Sequence, residues 1–316
     1  MVLLGSSDSG AVKYLFCISK YLKVNKWVYI KNKKKLIKNL NYIEFKNLYK
    51  LKKINLIITG AALGNSVDNK LIRFGKENKI FTVSVLDHWT NYSSRFLYRG
   101  KKIYPDKIFI NDQYSYQKAL DNNFPKEKLL IMKNIYLEKL SQSKFKKKLS
   151  SWAKKIKDKK KRIIIFISEQ IKKDFNFLKS EYKLNEFETL KKIISQLSIN
   201  DLLIIKNHPE ESCNKFKKFL SRNVCIKKNI TFSDLIYLPD KIIGIKSILL
   251  LELSMFRKDI ISFRPLIDNG FIGDKYKNVH LVRKNINAKL YFKKNNFKKS
   301  FLGAKKKILT FLREYQ

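Results

Sequence analysis

Short apolar runs alternate with stretches of helical spacing along the whole chain. In the first half the runs are Val2–Leu4, Trp27–Ile30, Leu56–Thr59, Ile80–Val85, Lys107–Ile110 and Leu129–Met132. The second half repeats the pattern with Arg162–Ile167, Leu202–Lys206, Val224–Ile226, Lys241–Ile243 and Ile260–Phe263, and with helical patterns at Asn185–Leu197 and Ile248–Met255. Strand, loop, helix, strand is the grammar of a parallel sheet. The expected fold class is therefore α/β, with two Rossmann-like domains facing across a cleft. Residues 1–140 form the first, 141–161 link them and 162–300 form the second. A helix over 301–316 is expected to return to the first domain. No sequence repeat occurs at a fixed period, which excludes solenoids and propellers.

Composition agrees with an ordered chain of two cores: 316 residues, 44% hydrophobic, 13% aromatic, with only 10 Gly and 5 Pro. Charge changes the picture more, because 69 basic against 26 acidic residues leave a net +43. Such a balance suits nucleic acid, an anionic membrane or phosphorylated ligands. Only nine of the cations are arginines, however, and base reading depends on the planar guanidinium fork. Lysine also occurs along the whole chain beside abundant Ile and Asn, the bias an AT-rich genome imposes on exposed positions. A basic nucleic-acid-binding protein that stacks bases on its aromatics is the reading from another class. No RNP-type run, zinc module or arginine cluster accompanies it.

Cys17, Cys213 and Cys225 form no CxxC pair, which fits a reducing cytosol. With three scattered histidines and no Asp-x-Asp they suggest no metal-ligand cluster and no cofactor. The start of the chain lacks signal-peptide features, and the longest apolar runs, Ile163–Ile167 and Ile248–Leu251, are too short to span a bilayer. A soluble or peripheral protein is expected. Within Leu140–Arg162, ten lysines flank Phe145, Leu149, Trp152 and Ile156 at helical spacing. A basic amphipathic helix of this kind lies on an anionic membrane, or packs its stripe on a domain with the lysines as its solvated back.

Ligands of open parallel sheets bind beyond the carboxyl ends of the strands. Five junctions fit: Gly5-Ser6-Ser7-Asp8-Ser9-Gly10, Gly60-Ala61-Ala62-Leu63-Gly64, Asp87-His88-Trp89, Lys206-Asn207-His208-Pro209-Glu210 and Gly244-Ile245-Lys246-Ser247. Ser247 is placed to cap the following helix, whose free amides suit a phosphate, and Glu252 to meet the hydroxyl pair of a ribose. Pro209 ends a strand just after His208, which with Lys206 can serve a phosphate. Asp87 and His88 offer a base; the alternative has both bonding backbone in a tight loop with Trp89 filling the core.

Strand–Lys-x-His-Pro-Glu at 206–210, followed by strand–Gly-x-x-Ser–helix at 244–247 with Leu251-Glu252, resembles the C-terminal half of bacterial GT-B-type glycosyltransferases of surface-polysaccharide assembly. The His-Pro and Ser-helix elements are similar to those of sialyltransferase-like and polyol-phosphate polymerase-like enzymes. Val85–Tyr92 with Arg95-Phe96, Tyr104–Ile108 and Asn111-Asp112 look like their acceptor-side domain. The resemblance covers about residues 1–270. It implies a nucleotide-sugar donor held by Lys206, His208, Gly244, Ser247 and Glu252, with Asp87 and His88 catalytic and Gly5, Ser6 and Gly60 in loops near the cleft. Metal-independent sugar transfer to a glycan or lipid-linked acceptor at the inner face of the cytoplasmic membrane would follow. The acidic-acidic-Gly signature of several sialyltransferase families is missing. UDP-N-acetylglucosamine 2-epimerases share the two-domain fold, but their Arg-Pro-Glu motif is absent from the Gly5–Gly10 loop, which leaves an epimerase-like enzyme as the alternative.

Overall fold

The computed structural model describes residues 1–29, 39–51, 53–172, 185–209, 211–212, 214–265, 271–288, 290 and 297–315. Ile30, Glu210 and Cys213, named above, lie outside them. The chain divides into two compact units: Met1–Gln142 with Lys299–Gln316, and Ser143–Lys298.

Unit 1 is built on β1 (Val2–Gly5), β2 (Asn25–Tyr29), β3 (Tyr42–Glu44), β4 (Leu56–Thr59), β5 (Thr82–Leu86), β8 (Lys107–Ile110) and β9 (Leu129–Ile131). A hairpin of β6 (Leu97–Tyr98) and β7 (Lys101–Lys102) stands apart from this sheet. The seven sheet strands run parallel in the order β3-β2-β1-β4-β5-β8-β9, so the order reverses between β1 and β4. Both faces are covered, and parity along each strand decides which side a residue serves. Val2, Leu4, Leu56 and Ile58 meet α1 (Ser9–Ser19). Leu3 and Ile57 meet α2 (Val67–Glu77). The helix Ala304–Leu312 belongs to the α1 side, with Ala304, Ile308 and Leu312 fully buried there beside Ile135 of α4 (Ile135–Gln142).

Unit 2 repeats the architecture with six parallel strands, β10 (Arg162–Ile167), β11 (Asp201–Lys206), β12 (Val224–Ile226), β13 (Lys241–Gly244), β14 (Ile260–Phe263) and β15 (His280–Val282). Their order is β12-β11-β10-β13-β14-β15, with the reversal between β10 and β13. Two Rossmann-like α/β units with parallel sheets are thus present, the expected fold class.

The linking stretch, expected either to lie on a membrane or to pack its stripe on a domain, packs on unit 2. Phe145 packs against Phe232 in a tilted and Phe256 in an edge-on arrangement, ring centroids 4.9 and 5.1 Å away, and its carbonyl accepts from the Tyr237 hydroxyl at 2.6 Å. In α5 (Ser151–Lys157) Ala153 and Ile156 are buried, and the Ser150 amide, just before the helix, donates to Asp234 at 2.9 Å. Phe145 and Ile156 of the stripe thus pack within unit 2, while Lys147, Lys148, Lys154 and Lys157 line a basic pocket with Leu149 and Tyr237. Among the described residues no helix is long and apolar enough to cross a membrane.

Candidate functional site

At the carboxyl ends of β1, β4 and β5 the loops of unit 1 converge. Asp8 caps α1: its Oδ1 accepts from the Gly10 amide at 2.8 Å, and its Oδ2 lies 2.8 Å from Nε2 of His88. An ionised carboxylate can only accept, so this imidazole nitrogen donates to it. Asp87 Oδ2 stands 3.7 Å from the same nitrogen. The three side chains bring ligand-type atoms within 4.8 Å of one another, a cluster the sequence spacing did not suggest. Two carboxylates and an imidazole are a donor set that suits a divalent cation. The nearby Arg95 charge, which acts on all three, works against one.

Burial sets the proton affinities. It pushes the Asp87 carboxyl up to about 6, helped by the Asp8 charge and opposed by His88 and Arg95. For Asp8, burial acts in the same direction but is outweighed by the charge and hydrogen bond of His88, by Arg95 and by the Gly10 amide. Asp8 is held well below the usual carboxylate range. Burial opposes the His88 charge, yet the two aspartates override it and raise the imidazole's pKa. Asp8 and His88 form a charged pair, and Asp87 is the group left to exchange a proton near neutrality.

The backbone here is fixed by its neighbours. Asn111 donates to the Asp87 carbonyl at 2.9 Å, Tyr92 to the His88 carbonyl at 3.0 Å, and Trp89 is buried with its indole donating to Asp112 at 2.8 Å. Trp89 therefore fills the core, as the structural alternative held, while the Asp87 and His88 side chains face each other and Asp8. Gly5, Ser6 and Gly60 have a packing role. Ser6 donates to Asp68 at 2.8 Å, and a Cβ at Gly60 would lie 2.5 Å from both Ala11 Cβ and Ser6 Oγ. Asp8 and Gly10, though within the Gly5–Gly10 motif, were not singled out as site residues. Asp8 meets His88 and Gly10 meets Asp87, each about 80 positions away in sequence.

In unit 2 the loops after β11 and β13 are tied together by the one after β10. Ser168 donates to Glu211 at 2.9 Å, and the other oxygen of Glu211 accepts from the His208 amide at 2.9 Å. The next residue, Glu169, turns the other way and accepts from the amides of Ile245 and Lys246 at 3.0 and 2.8 Å. Burial pushes the Glu169 carboxyl up to about 7 against the pull of the Lys246, Ile245 and Ser247 amides. Glu169 thus fixes the loop just before the helix that Ser247 caps. Ser247 caps the helix Ile248–Ser254 as expected, its hydroxyl accepting from Leu249 at 3.3 Å. Gly244 makes room for Leu250, whose side chain would lie 3.0 Å from a Cβ there, and Glu252 is buried. Lys206 ends β11 half-buried, beside the turn that carries His208. Nothing in the sequence spacing of Glu169 and Glu211 reveals the amides they meet.

No protein family and no curated protein matches the chain by sequence. Its fold is similar to that of Methanocaldococcus jannaschii UDP-GlcNAc 2-epimerase in complex with UDP-GlcNAc and UDP, at 11% identity and a TM-score of 0.61 over 98% of this chain and 92% of that one. Anabaena HepE in complex with UDP-glucose gives 11% and 0.61 over 99% and 94%. The UDP-N-acetylglucosamine 2-epimerase of Rickettsia bellii gives 13% and 0.61 over 99% and 94%. The architecture of this chain is that of the UDP-GlcNAc 2-epimerase-type, GT-B-like folds.

Proposed function

We propose that the protein is a nucleotide-sugar enzyme, a glycosyltransferase that moves a sugar onto a glycan or lipid-linked acceptor in surface-polysaccharide synthesis. Unit 2 would bind the donor through Lys206, His208 and Ser247, with Gly244 and Glu252 shaping that wall. The side chains of Lys206 and His208 would meet the phosphates. Asp87 of unit 1 takes the proton of the acceptor hydroxyl as its oxygen bonds to the anomeric carbon. The bond from that carbon to phosphate breaks, and the nucleotide leaves with the electron pair. His88, held by Asp8, keeps a positive charge beside Asp87 and favours the ionised form it needs.

The supporting observation is the fold likeness over 98% of this chain to a protein whose structure holds UDP-GlcNAc and UDP. That same likeness favours an epimerase-like enzyme as the second reading. If the acceptor is lipid-linked, the outward lysines of the basic pocket would meet anionic headgroups by charge alone, at about 1 kcal/mol each.

Melting of the full chain with UDP, UDP-GlcNAc and UDP-glucose tests the donor site. A rise with these ligands that His208→Ala and Ser247→Ala diminish supports the assignment. No rise with any of them discards it. Incubation with UDP-GlcNAc alone, followed by NMR at the C2 proton, separates the two readings, since only an epimerase inverts that centre without an acceptor.

A further inference from the structure

The basic cavity of unit 2 is built on segments that lead into its strands, not on the loops that leave them. Lys157 ends α5, which runs on to β10, and Tyr237 ends the helix Phe232–Tyr237, which runs on to β13. His208 and Ser247, by contrast, follow the carboxyl ends of β11 and β13. The cavity measures about 310 Å³ and is lined by Lys147, Lys148, Lys154 and Lys157 together with Leu149 and Tyr237, with no acidic residue in its wall. Its shape is fixed by the backbone. The Tyr237 hydroxyl donates to the Phe145 carbonyl at 2.6 Å and Asp234 accepts from the Ser150 amide at 2.9 Å, so the segment bearing Lys147 and Lys148 is tied at both ends to one helix. Ser150 also caps α5, its hydroxyl accepting from the Ala153 amide at 3.2 Å, and Lys154 and Lys157 share a face of that helix.

Lys215 of the same unit has two carboxylate partners, whereas among the described residues none of these four lysines makes an ion pair. Like charges gathered without a counter-ion repel one another, and a concave wall focuses their field on whatever enters. The occupant is then an anion of several charges. Lysine serves phosphate oxygens as a point charge, while a planar carboxylate is better matched by an arginine fork, which this wall lacks. The volume stands at the lower end of small-molecule sites, which suits a compact group and not a nucleic-acid duplex. We infer that the cavity receives a diphosphate group, carried by a free small molecule or by a lipid headgroup. Two segments each bring two lysines, and the two phosphoryl groups divide between them; a lone phosphate would leave much of that charge unmet. The inference stands apart from the sugar-transfer reading, since it uses none of the residues assigned to the donor or the base.

The test is isothermal titration calorimetry of the full chain with inorganic pyrophosphate at about 0.15 M salt, which screens diffuse attraction. A saturable site is expected, at least tenfold tighter than for orthophosphate. All four lysines are exposed, so Lys154→Gln/Lys157→Gln keeps the fold and should weaken this site at least tenfold. Lys155→Gln/Lys159→Gln removes the same charge from the same stretch outside the cavity and should change the affinity less than twofold. Equal losses in the two variants, no saturable site, or orthophosphate bound as tightly would each overturn the inference. His208→Ala should keep the site; its loss there would assign the pyrophosphate to the donor loops and overturn the inference too. Flotation with phosphatidylcholine vesicles carrying a polyprenyl diphosphate, against phosphatidylserine vesicles of equal charge, separates the two sources. Capture by the first alone, reversed by free pyrophosphate, assigns a lipid headgroup. Capture by neither, with the calorimetric site intact, assigns a free diphosphate.

Discussion

At Gly10 a single missing carbon decides where Asp87 can stand, because a Cβ there would lie 2.4 Å from Asp87 Oδ2. Gly10→Ala is therefore expected to push the carboxylate out of register and lower turnover with little change in nucleotide affinity, measured by kcat against UDP-sugar Kd. Asp87→Asn should cost about 10²–10⁴-fold in kcat if it is the base. The pH profile carries a sharper expectation. The base acts ionised and its carboxyl titrates at about 6, so kcat/KM should fall as pH drops through that value. In His88→Gln the positive charge that opposes burial is gone, Asp87 holds its proton more tightly, and the acid limb should move to higher pH. A limb that stays in place would assign the proton to another group. Activity is expected to survive EDTA; loss on chelation, restored by a divalent cation, would give Asp8, Asp87 and His88 to a metal instead.

Among the elements, the turn carrying His208 is held by charge buried inside unit 2. Lys215 lies 2.5 Å from both Glu186 and Glu211, each with a buried side chain, and also donates to the Glu169 carbonyl at 3.1 Å. Lys215→Met would leave two buried carboxylates without their counter-ion, at about 3–5 kcal/mol, read by urea denaturation. A shift under 1 kcal/mol would mean that water reaches the site. The sheets themselves were legible because their central strands carry unbroken apolar runs, as in Ile163–Ile167, which parallel strands covered on both faces require. The edge strands β3 and β15 were not, since Tyr42–Glu44 and His280–Val282 are short and partly polar. The strand ends also pointed to Asp87, His88, His208 and Ser247. What they could not show was the Asp8 contact or the Glu169 carboxylate, because Glu169 meets amides 76 and 77 residues away.

For the molecule as a whole, the net charge of +43 opposes compaction, so melting temperature is expected to rise between low salt and about 0.5 M as self-repulsion is screened. A flat response would show that local anions or pairing already neutralise it. The core of unit 1 makes a further demand, because Ile308 and Leu312 are fully buried and Glu138 accepts from the amides of Gly303 and Lys305 at 2.6 Å each. Leu312→Ala should cost about 2–5 kcal/mol in unit 1. That helix also sets an order of events during synthesis. Unit 2 is one continuous stretch and can close as it emerges, while the strands of unit 1 wait for a segment translated after all of unit 2. At about 5–20 residues per second the wait lasts roughly 10–30 s, during which the apolar face beneath α1 and α4 lacks its cover. The interval gives chaperones a defined window, and the earlier-made half of the protein is the later one to mature.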